Sequence, residues 1–484
     1  MATQLVWLKR DLRITDHAPL VQAANAGPCG VLFVFEPEWL HSPECDPSHV
    51  RFVLDSLKDV QASLQKLGGD LHVATGSMPE VLDRLFETTP FEVLWSHEET
   101  GNNWTYQRDL RVAAWARRKG VRWVEVTQHG VVRRLKNRDG WAAKWEARMT
   151  QPQWPEPVRI VSALPGTPLP NLTELGVSPS TKPQAQPGGW QAAQHTLEGF
   201  LRVRGEDYQS AMSSPNSAWS ACSRLSPHIA WGTVSMRQVV QATRLRLKEP
   251  LTGLWARSLR SFEKRLHWHC HFIQKLEDEP AIEFENMNRG FDGLREDDFN
   301  EDLFQAYCTA QTGYPFVDAC LRCLFATGWL NFRMRAMLAS FAAYQLWLHW
   351  RRPAVFLARH FLDFEPGIHF SQFQMQSGVT GINTLRIYSP IKQSLDQDPD
   401  GVFIRRWVPE LAALPTEYVH QPETLPPLLA LSLGFQPGVS YPLPVVEPVG
   451  AYRQAKERIY AWKQRPEVRH LAHAVYEKHG SRKR

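Results

Sequence analysis

Leu5-Val-Trp-Leu-Lys-Arg-Asp-Leu-Arg-Ile14 runs four apolar residues into a basic loop, and it is the first of five short apolar runs. The others are 30–35, 70–74, 92–96 and 122–126, separated by segments with helical spacing. Across 47–67, for example, Val50, Val53, Leu54, Leu57, Val60 and Leu64 recur at three and four residues. Strands that alternate with amphipathic helices pair in parallel and bury both sheet faces. Residues 1–130 are therefore expected to form an α/β domain, a doubly wound parallel five-stranded sheet.

The character changes at 131–195, where Gln151-Pro-Gln-Trp-Pro-Glu-Pro157, Leu164-Pro-Gly-Thr-Pro-Leu-Pro170 and Pro183-Gln-Ala-Gln-Pro-Gly-Gly189 crowd prolines together. Proline at this density breaks helix and ladder alike, which predicts a long surface linker. From about Trp190 the period is helical, notably at 191–203, 235–247, 254–276, 315–326 and 329–348, so 196–484 is expected to be an all-α domain. Its tail, 452–484, reads as one basic amphipathic helix.

A chain of 484 residues exceeds one ordinary core. No apolar leader opens it, and the longest apolar stretch, 336–350, is too short to span a bilayer and contains Gln345 and His349. A cytoplasmic location follows as the expectation. Seven cysteines at irregular spacing argue against a disulfide framework. Cys320 and Cys323 form a CxxC, but no cysteine follows them, which favours packing over ligation, and no metal is expected. The net charge of +5 is too mild to name a partner, whereas 19 tryptophans supply rings that can pack, stack on bases or carry electrons.

Further along, polar motifs follow one another in a set order. They are Thr-Gly-Tyr-Pro-Phe-Val-Asp-Ala at 312–319, Thr-Gly-Trp-Leu-Asn-Phe-Arg-Met-Arg at 327–335, Asp363-Phe-Glu365, Arg386-Ile-Tyr-Ser-Pro390, and Asp398-Pro-Asp-Gly401 through Ile404-Arg-Arg-Trp-Val-Pro-Glu-Leu411. Upstream, Ser223-Arg-Leu-Ser226 leads into Pro227-His228, where a hydroxyl cap before proline marks a helix start able to receive phosphate. This order, together with the opening strand and loop, resembles the photolyase/cryptochrome family, with matches from residue 5 to 411.

The resemblance implies FAD within the helical domain. It assigns cofactor contacts to Tyr208, to Cys222, Ser223, Arg224, Leu225 and Ser226 around the phosphates, and to Phe262 and Arg265. Arg335 and Asp363 match the family's Arg–Asp pair beside the ring, followed by Phe364 and by Glu365 where a second Asp is usual. His369 stands where photolyases have an asparagine near flavin N5, which puts a group that titrates near neutrality beside the ring. The implied reaction is light-driven splitting of a pyrimidine photoproduct in UV-damaged DNA, single- or double-stranded, with the lesion flipped out of its strand. Trp268, His269 and Met375 would face that lesion, and Arg333, Gln374 and Arg386 would hold DNA.

Several positions depart from the family pattern. Arg265 replaces a glutamate and His269 an arginine; a guanidinium only donates hydrogen bonds, so cyclobutane repair is not assured. Asn331-Phe332-Arg333 replaces His-Asn-Arg, and Phe373-Gln374-Met375 replaces Trp-Gln-Trp. Of the family's three relay tryptophans Trp350 matches the middle one, Phe373 takes the inner place, and none stands near Asp297; either another path through Trp347, Trp329 or Tyr344 serves, or photoreduction is slow. His267, His269 and His271 have the wrong spacing for a helical zinc site and, as alternate residues, do not share a helix face. A second, antenna chromophore is possible at the carboxyl ends of the strands, but the glutamate used for a folate antenna aligns with about Thr105, and its identity stays open. The expectation is a monomeric DNA photolyase of non-standard type; the alternative is a cryptochrome-like blue-light photoreceptor without repair.

Overall fold

The computed structural model describes residues 3–180 and 182–480. Two compact units divide them. The first takes in the residues up to Glu206, then Ser223–Pro280 and Leu362–Gly367; the second takes in Asp207–Cys222, Ala281–Phe361 and the residues from Ile368 onward.

The first unit carries five strands, β1 (Gln4–Leu8), β2 (Cys29–Phe35), β3 (Leu71–Thr75), β4 (Val93–His97) and β5 (Arg122–Val126). They pair in parallel in the order β3-β2-β1-β4-β5. The two-residue period of β1 sorts its side chains: Val6 and Leu8 pack with helices α1 (Ala18–Ala26) and α2 (Pro47–Lys66), Leu5 and Trp7 with α3 (Met78–Thr88) and α4 (Asn103–Lys119). Both faces of β1 and β2 are thus dry, which is why those runs are apolar throughout. Helix α2 starts where Asp46 and His49 form a reciprocal cap around Pro47. From β1 the chain builds β2 and β3 on one side and then crosses back to build β4 and β5 on the other, so the carboxyl ends of the strands around β1 form a crevice.

The proline-rich stretch packs against this sheet. Cys29 N donates to Val161 O at 2.8 Å and Thr167 N to Leu71 O at 3.1 Å, while Ile160 and Leu164 are buried and Lys182 reaches Asp46 at 2.7 Å. Proline forbids regular pairing there, but the residues between prolines keep enough N–H groups to bond singly.

The second unit is helical. In it Pro315 opens α5 (Pro315–Thr327), and Asp318 ties the preceding turn by accepting from Thr312 N at 3.0 Å and from Thr312 Oγ1 at 2.7 Å. Cys320 and Cys323 lie buried on this helix as free thiols. Next comes α6 (Phe332–Ser340), which widens into a π-helix at Phe341–Gln345 before Trp347 takes a φ of +52°. The single C-terminal helix expected from the sequence is two, α7 (Pro448–Lys463) and α8 (Pro466–His479), because Pro466 lacks the N–H needed to continue the first. The last residues of that stretch lie outside those described. Among the described residues no helix is long and apolar enough to cross a membrane.

Candidate functional site

In the first unit, a cavity of about 730 Å³, open solvent included, lies at the carboxyl ends of β1, β2 and β4. Its walls are aromatic: Trp7, Trp39, Trp104 and Trp231 line it, with Phe33 and Phe364. Its charges are mostly committed. Arg108 is buried and bonds Glu36 at 3.0 Å, Asp109 at 2.8 Å and Glu99, while its guanidinium lies 4.7 Å from the Trp7 ring centre and 5.3 Å from that of Trp104. Burial works against the Arg108 charge, yet the three carboxylates hold its pKa well above the ordinary value. Thr105, at the position matched to the folate glutamate, lines the cavity and spends its hydroxyl on Asn102 O at 2.8 Å.

Beneath β1 and β4, Asp11 receives His17 Nε2 at 3.0 Å and His97 Nδ1 at 2.7 Å. His17 Nδ1 accepts the Leu20 N–H, which leaves the proton on Nε2. The trio is therefore a hydrogen-bonded network rather than a metal site, and burial, then the neighbouring His17, drags His97 down to about 3.

Arg10 is the cavity cation with the fewest partners, and it binds the segment that carries the expected flavin acids. Its Nη2 donates to Phe364 O at 2.9 Å and its Nη1 lies 3.5 Å from Glu365 Oε2, while the guanidinium stacks 4.6 Å from Trp231, whose Nε1 donates to Leu362 O at 3.0 Å. Gly232, at φ +67°, permits this approach, since a Cβ there would collide with the backbone of Arg10 and Asp11. Glu365, expected beside the flavin in place of an aspartate, thus uses its extra methylene to reach Arg10. Burial pushes Glu365 up to about 7 against the pull of Arg10, and its Oε1 is buried without a partner.

A carboxyl raised in this way favours the fold while protonated, and that contribution is lost as pH rises through about 7. Glu365→Gln should therefore be more stable than wild type at about pH 8, by on the order of 2–3 kcal/mol, and nearly equal to it at about pH 5. Urea unfolding at both values checks this; the same offset at both would refute it.

Ser223–Ser226 forms a tight reversal. Arg224 takes φ +60°, with Gln186 bonding its carbonyl at 3.0 Å and its Nε at 3.2 Å, and Arg204 Nη2 donates to Ser223 O at 2.6 Å. The helix that follows begins at Ser226 itself, so Leu225, with no capping side chain, takes the cap place expected for Ser226. The left-handed turn at Arg224 brings the chain round one residue early.

On the long helix Gly253–Asp278, Phe262 packs on Phe200 at 4.7 Å, and Arg265 is exposed. Trp268 is 45% exposed, braced by His271 at 5.5 Å and Phe272 at 5.6 Å. His267 turns between Trp141 and Trp145, at 5.0 and 4.9 Å. His269 points elsewhere: its Nδ1 is buried without a partner, and burial, opposed by Asp363, lowers its pKa to about 4. A neutral imidazole can donate a hydrogen bond but is not an acid near neutral pH.

In the second unit, Tyr208 is buried and Cys222 half-buried just after a helix end. Arg335 donates to Leu330 O at 2.8 Å and stacks 4.1 Å from Phe361, while Arg333 Nε is buried without a partner and Arg386 is exposed. His369 donates Nε2–H to Ala354 O at 2.7 Å, which fixes its tautomer, and packs against Phe373 at 5.0 Å. Trp350 is buried, donating to Asn286 Oδ1 at 2.8 Å with Phe370 at 6.4 Å. Met375 is half-buried.

Gln374 departs from its expected place on DNA. Fully buried, it donates to Ile282 O at 2.8 Å and Glu285 O at 2.7 Å and accepts from Met287 N at 2.5 Å, so its amide brackets a loop and is spent on backbone. The sequence reading missed Arg10, Trp231, Trp39 and Arg108 as one group, because four distant segments supply them. Only Lys9-Arg10 after the first strand hinted at it.

Two family models match: one described as DNA photolyase over residues 4–144, the other as the FAD binding domain of DNA photolyase over 262–461. A cryptochrome DASH of Gloeobacter violaceus is 29% identical, covering 95% of this chain and 96% of its own length. A deoxyribodipyrimidine photo-lyase of Halobacterium salinarum is 28% identical, covering 92% and 96%. Among solved structures, a bacterial class III photolyase from Agrobacterium tumefaciens aligns with TM-score 0.83 at 25% identity, over 96% of this chain and 98% of that one. An archaeal photolyase from Sulfolobus tokodaii with two FAD molecules shares the fold, at TM-score 0.78 and 22% identity over 95% and 100%.

Proposed function

Because the chain belongs to the photolyase/cryptochrome family, we propose that it is a blue-light DNA-repair flavoenzyme acting on a pyrimidine photoproduct flipped out of UV-damaged DNA. FAD, when bound, supplies the light-excited electron donor. In the first unit the Ser223–Ser226 reversal would hold its phosphates, with Asp363 near the ring. In the first unit the partnerless buried atoms His269 Nδ1 and Glu365 Oε1 are polar groups that such a cofactor or substrate would satisfy.

The observation that carries the repair reading is Trp268: a large indole left 45% exposed on a helix whose other side is buried, with exposed Arg265 one turn before it. A ring met edge-on by His271 and at a 35° tilt by Phe272 suits stacking on an extruded base. Arg265 in the place of the family's glutamate supports the photoreceptor reading, since it cannot accept a hydrogen bond from the lesion. Blue-light irradiation of the purified protein with UV-damaged single- and double-stranded DNA, followed by counting restored bases, decides between them. No restoration on either substrate would remove the enzyme reading.

Electron supply rests on Trp350, since Phe373 is a poor relay. Under blue light with a thiol, Trp350→Phe should slow flavin reduction at least about tenfold, a ratio that a barrier rise of only ~1.4 kcal/mol produces. Wild-type speed would dismiss Trp350. The first unit's cavity would take a second, planar chromophore carrying an anion, by its aromatic walls and Arg10. A Trp231→Ala variant that retains a second chromophore in full would exclude the cavity.

A further inference from the structure

Arg295 is an isolated cation of the second unit. Its side chain is buried, residue exposure being 2%, and among the described residues no carboxylate forms an ion pair with it. Neighbouring Glu296 spends an oxygen on the Arg295 backbone N–H at 2.9 Å and faces His349 at 3.8 Å. Arg295 Nε and Nη2 have no hydrogen-bond partner, and two further buried donors nearby share that condition: Tyr344 Oη and Trp347 Nε1. The guanidinium carbon lies 4.5 Å from the Trp347 ring centre and 5.3 Å from that of Tyr344. A second guanidinium, Arg458 of α7, lies 4.2 Å from the same Trp347 ring and is paired with Asp298.

The backbone that sets these rings is distorted. Tyr344 lies in the five-residue π-helix, and Trp347 follows at φ +52°, a conformation that costs a large L-residue energy. Both kinds of irregularity are frequent at functional sites. Here they place two aromatic rings around one buried positive charge.

We propose that Arg295, Tyr344 and Trp347 form a binding site for a small monovalent anion of the halide, nitrate or formate class. The chemistry of the set selects it. Arginine and the indole N–H only donate, and the tyrosine hydroxyl can donate, so the matching ligand is an acceptor without protons of its own. A guanidinium cannot shed its proton to escape burial, and the stacked rings offset only part of its charge. Burial brings Arg295 down to about 10 and pushes Tyr344 up to about 12 against the Arg295 charge, whose guanidinium lies 5.3 Å from the Tyr344 ring centre. The site is independent of the flavin reading and stands or falls separately from it.

Bromide is the probe. At constant ionic strength with potassium gluconate as the balancing salt, bromide should raise the Tm of the full-length protein in a saturable way, as a ligand of the folded state does. Crystals soaked in bromide should give an anomalous peak within hydrogen-bonding distance of Arg295 Nε or Nη2. Tyr344→Phe, which keeps the ring, should weaken bromide binding about tenfold, and Arg295→Met should abolish the saturable rise. If Arg295→Met does not fold, the crystal peak and Tyr344→Phe decide. A flat Tm response, bromide peaks only elsewhere, or unchanged affinity in Tyr344→Phe would overturn the site.

Discussion

Arg108→Met is expected to destabilise the protein by about 3–5 kcal/mol at neutral pH, the usual result of removing one partner from a buried ion network. Among the described residues Arg108 is the one guanidinium paired with the carboxylates of Glu36 and Glu99, and it also bonds Asp109, while Lys9 reaches Asp109 alone among the three, at 3.1 Å. Methionine fills much of the arginine stem's volume, so the loss reports charge rather than a void. Burial already raises Glu36 above its ordinary range despite Arg108, and without that cation it would rise further. The deficit should then shrink as pH falls and the carboxyls take up protons. Chemical denaturation of both proteins at neutral and mildly acid pH measures it. A loss under about 1 kcal/mol, the scale of an exposed pair, would mean that the network is solvated.

Trp268→Ala is expected to weaken binding of damaged DNA by about 10- to 100-fold, the equivalent of the 1–3 kcal/mol that one base–aromatic stack contributes. Undamaged DNA, held by phosphate contacts, should bind nearly as before. The side chain is braced by His271 and Phe272 and is 45% exposed, so its removal costs the fold little. Competition titrations at one fixed salt concentration test the split, and Trp268→Phe should recover part of the loss. Equal weakening for both DNAs would assign Trp268 to general structure.

The sheet was legible because burial on both faces leaves an unbroken apolar run for each central strand, as in Leu5–Leu8, and because Val50 to Leu64 kept a helical period. The proline-rich stretch was harder to read. Pro157 and Pro165 flank the residues that bond β2, and single hydrogen bonds leave no periodic trace. Motif order assigned roles to Trp268, His369 and Trp350, but not what each one touches. Gln374 was assigned to DNA by its motif neighbours, whereas its amide is consumed by three backbone groups supplied from Ile282 to Met287. The pairing of Glu365 with Arg10, 355 positions apart, has no local signature. Neither has the left-handed Trp347, since nothing in Leu346-Trp-Leu348 predicts a positive φ.

The sheet-bearing unit is assembled from three separated lengths of chain, ending with the short Leu362–Gly367 piece. On a ribosome making about 5–20 residues per second, that final piece emerges roughly 10–30 s after residue 206. Until then Arg10 Nη2 and Trp231 Nε1 lack the carbonyls of Phe364 and Leu362 that they bond in the finished fold. A fragment ending near residue 206 should thus be a poor expression product, and a nascent chain stalled before residue 362 should be an exposed client for chaperones. The order of synthesis, as much as the native contacts, decides when this protein is safe from proteolysis.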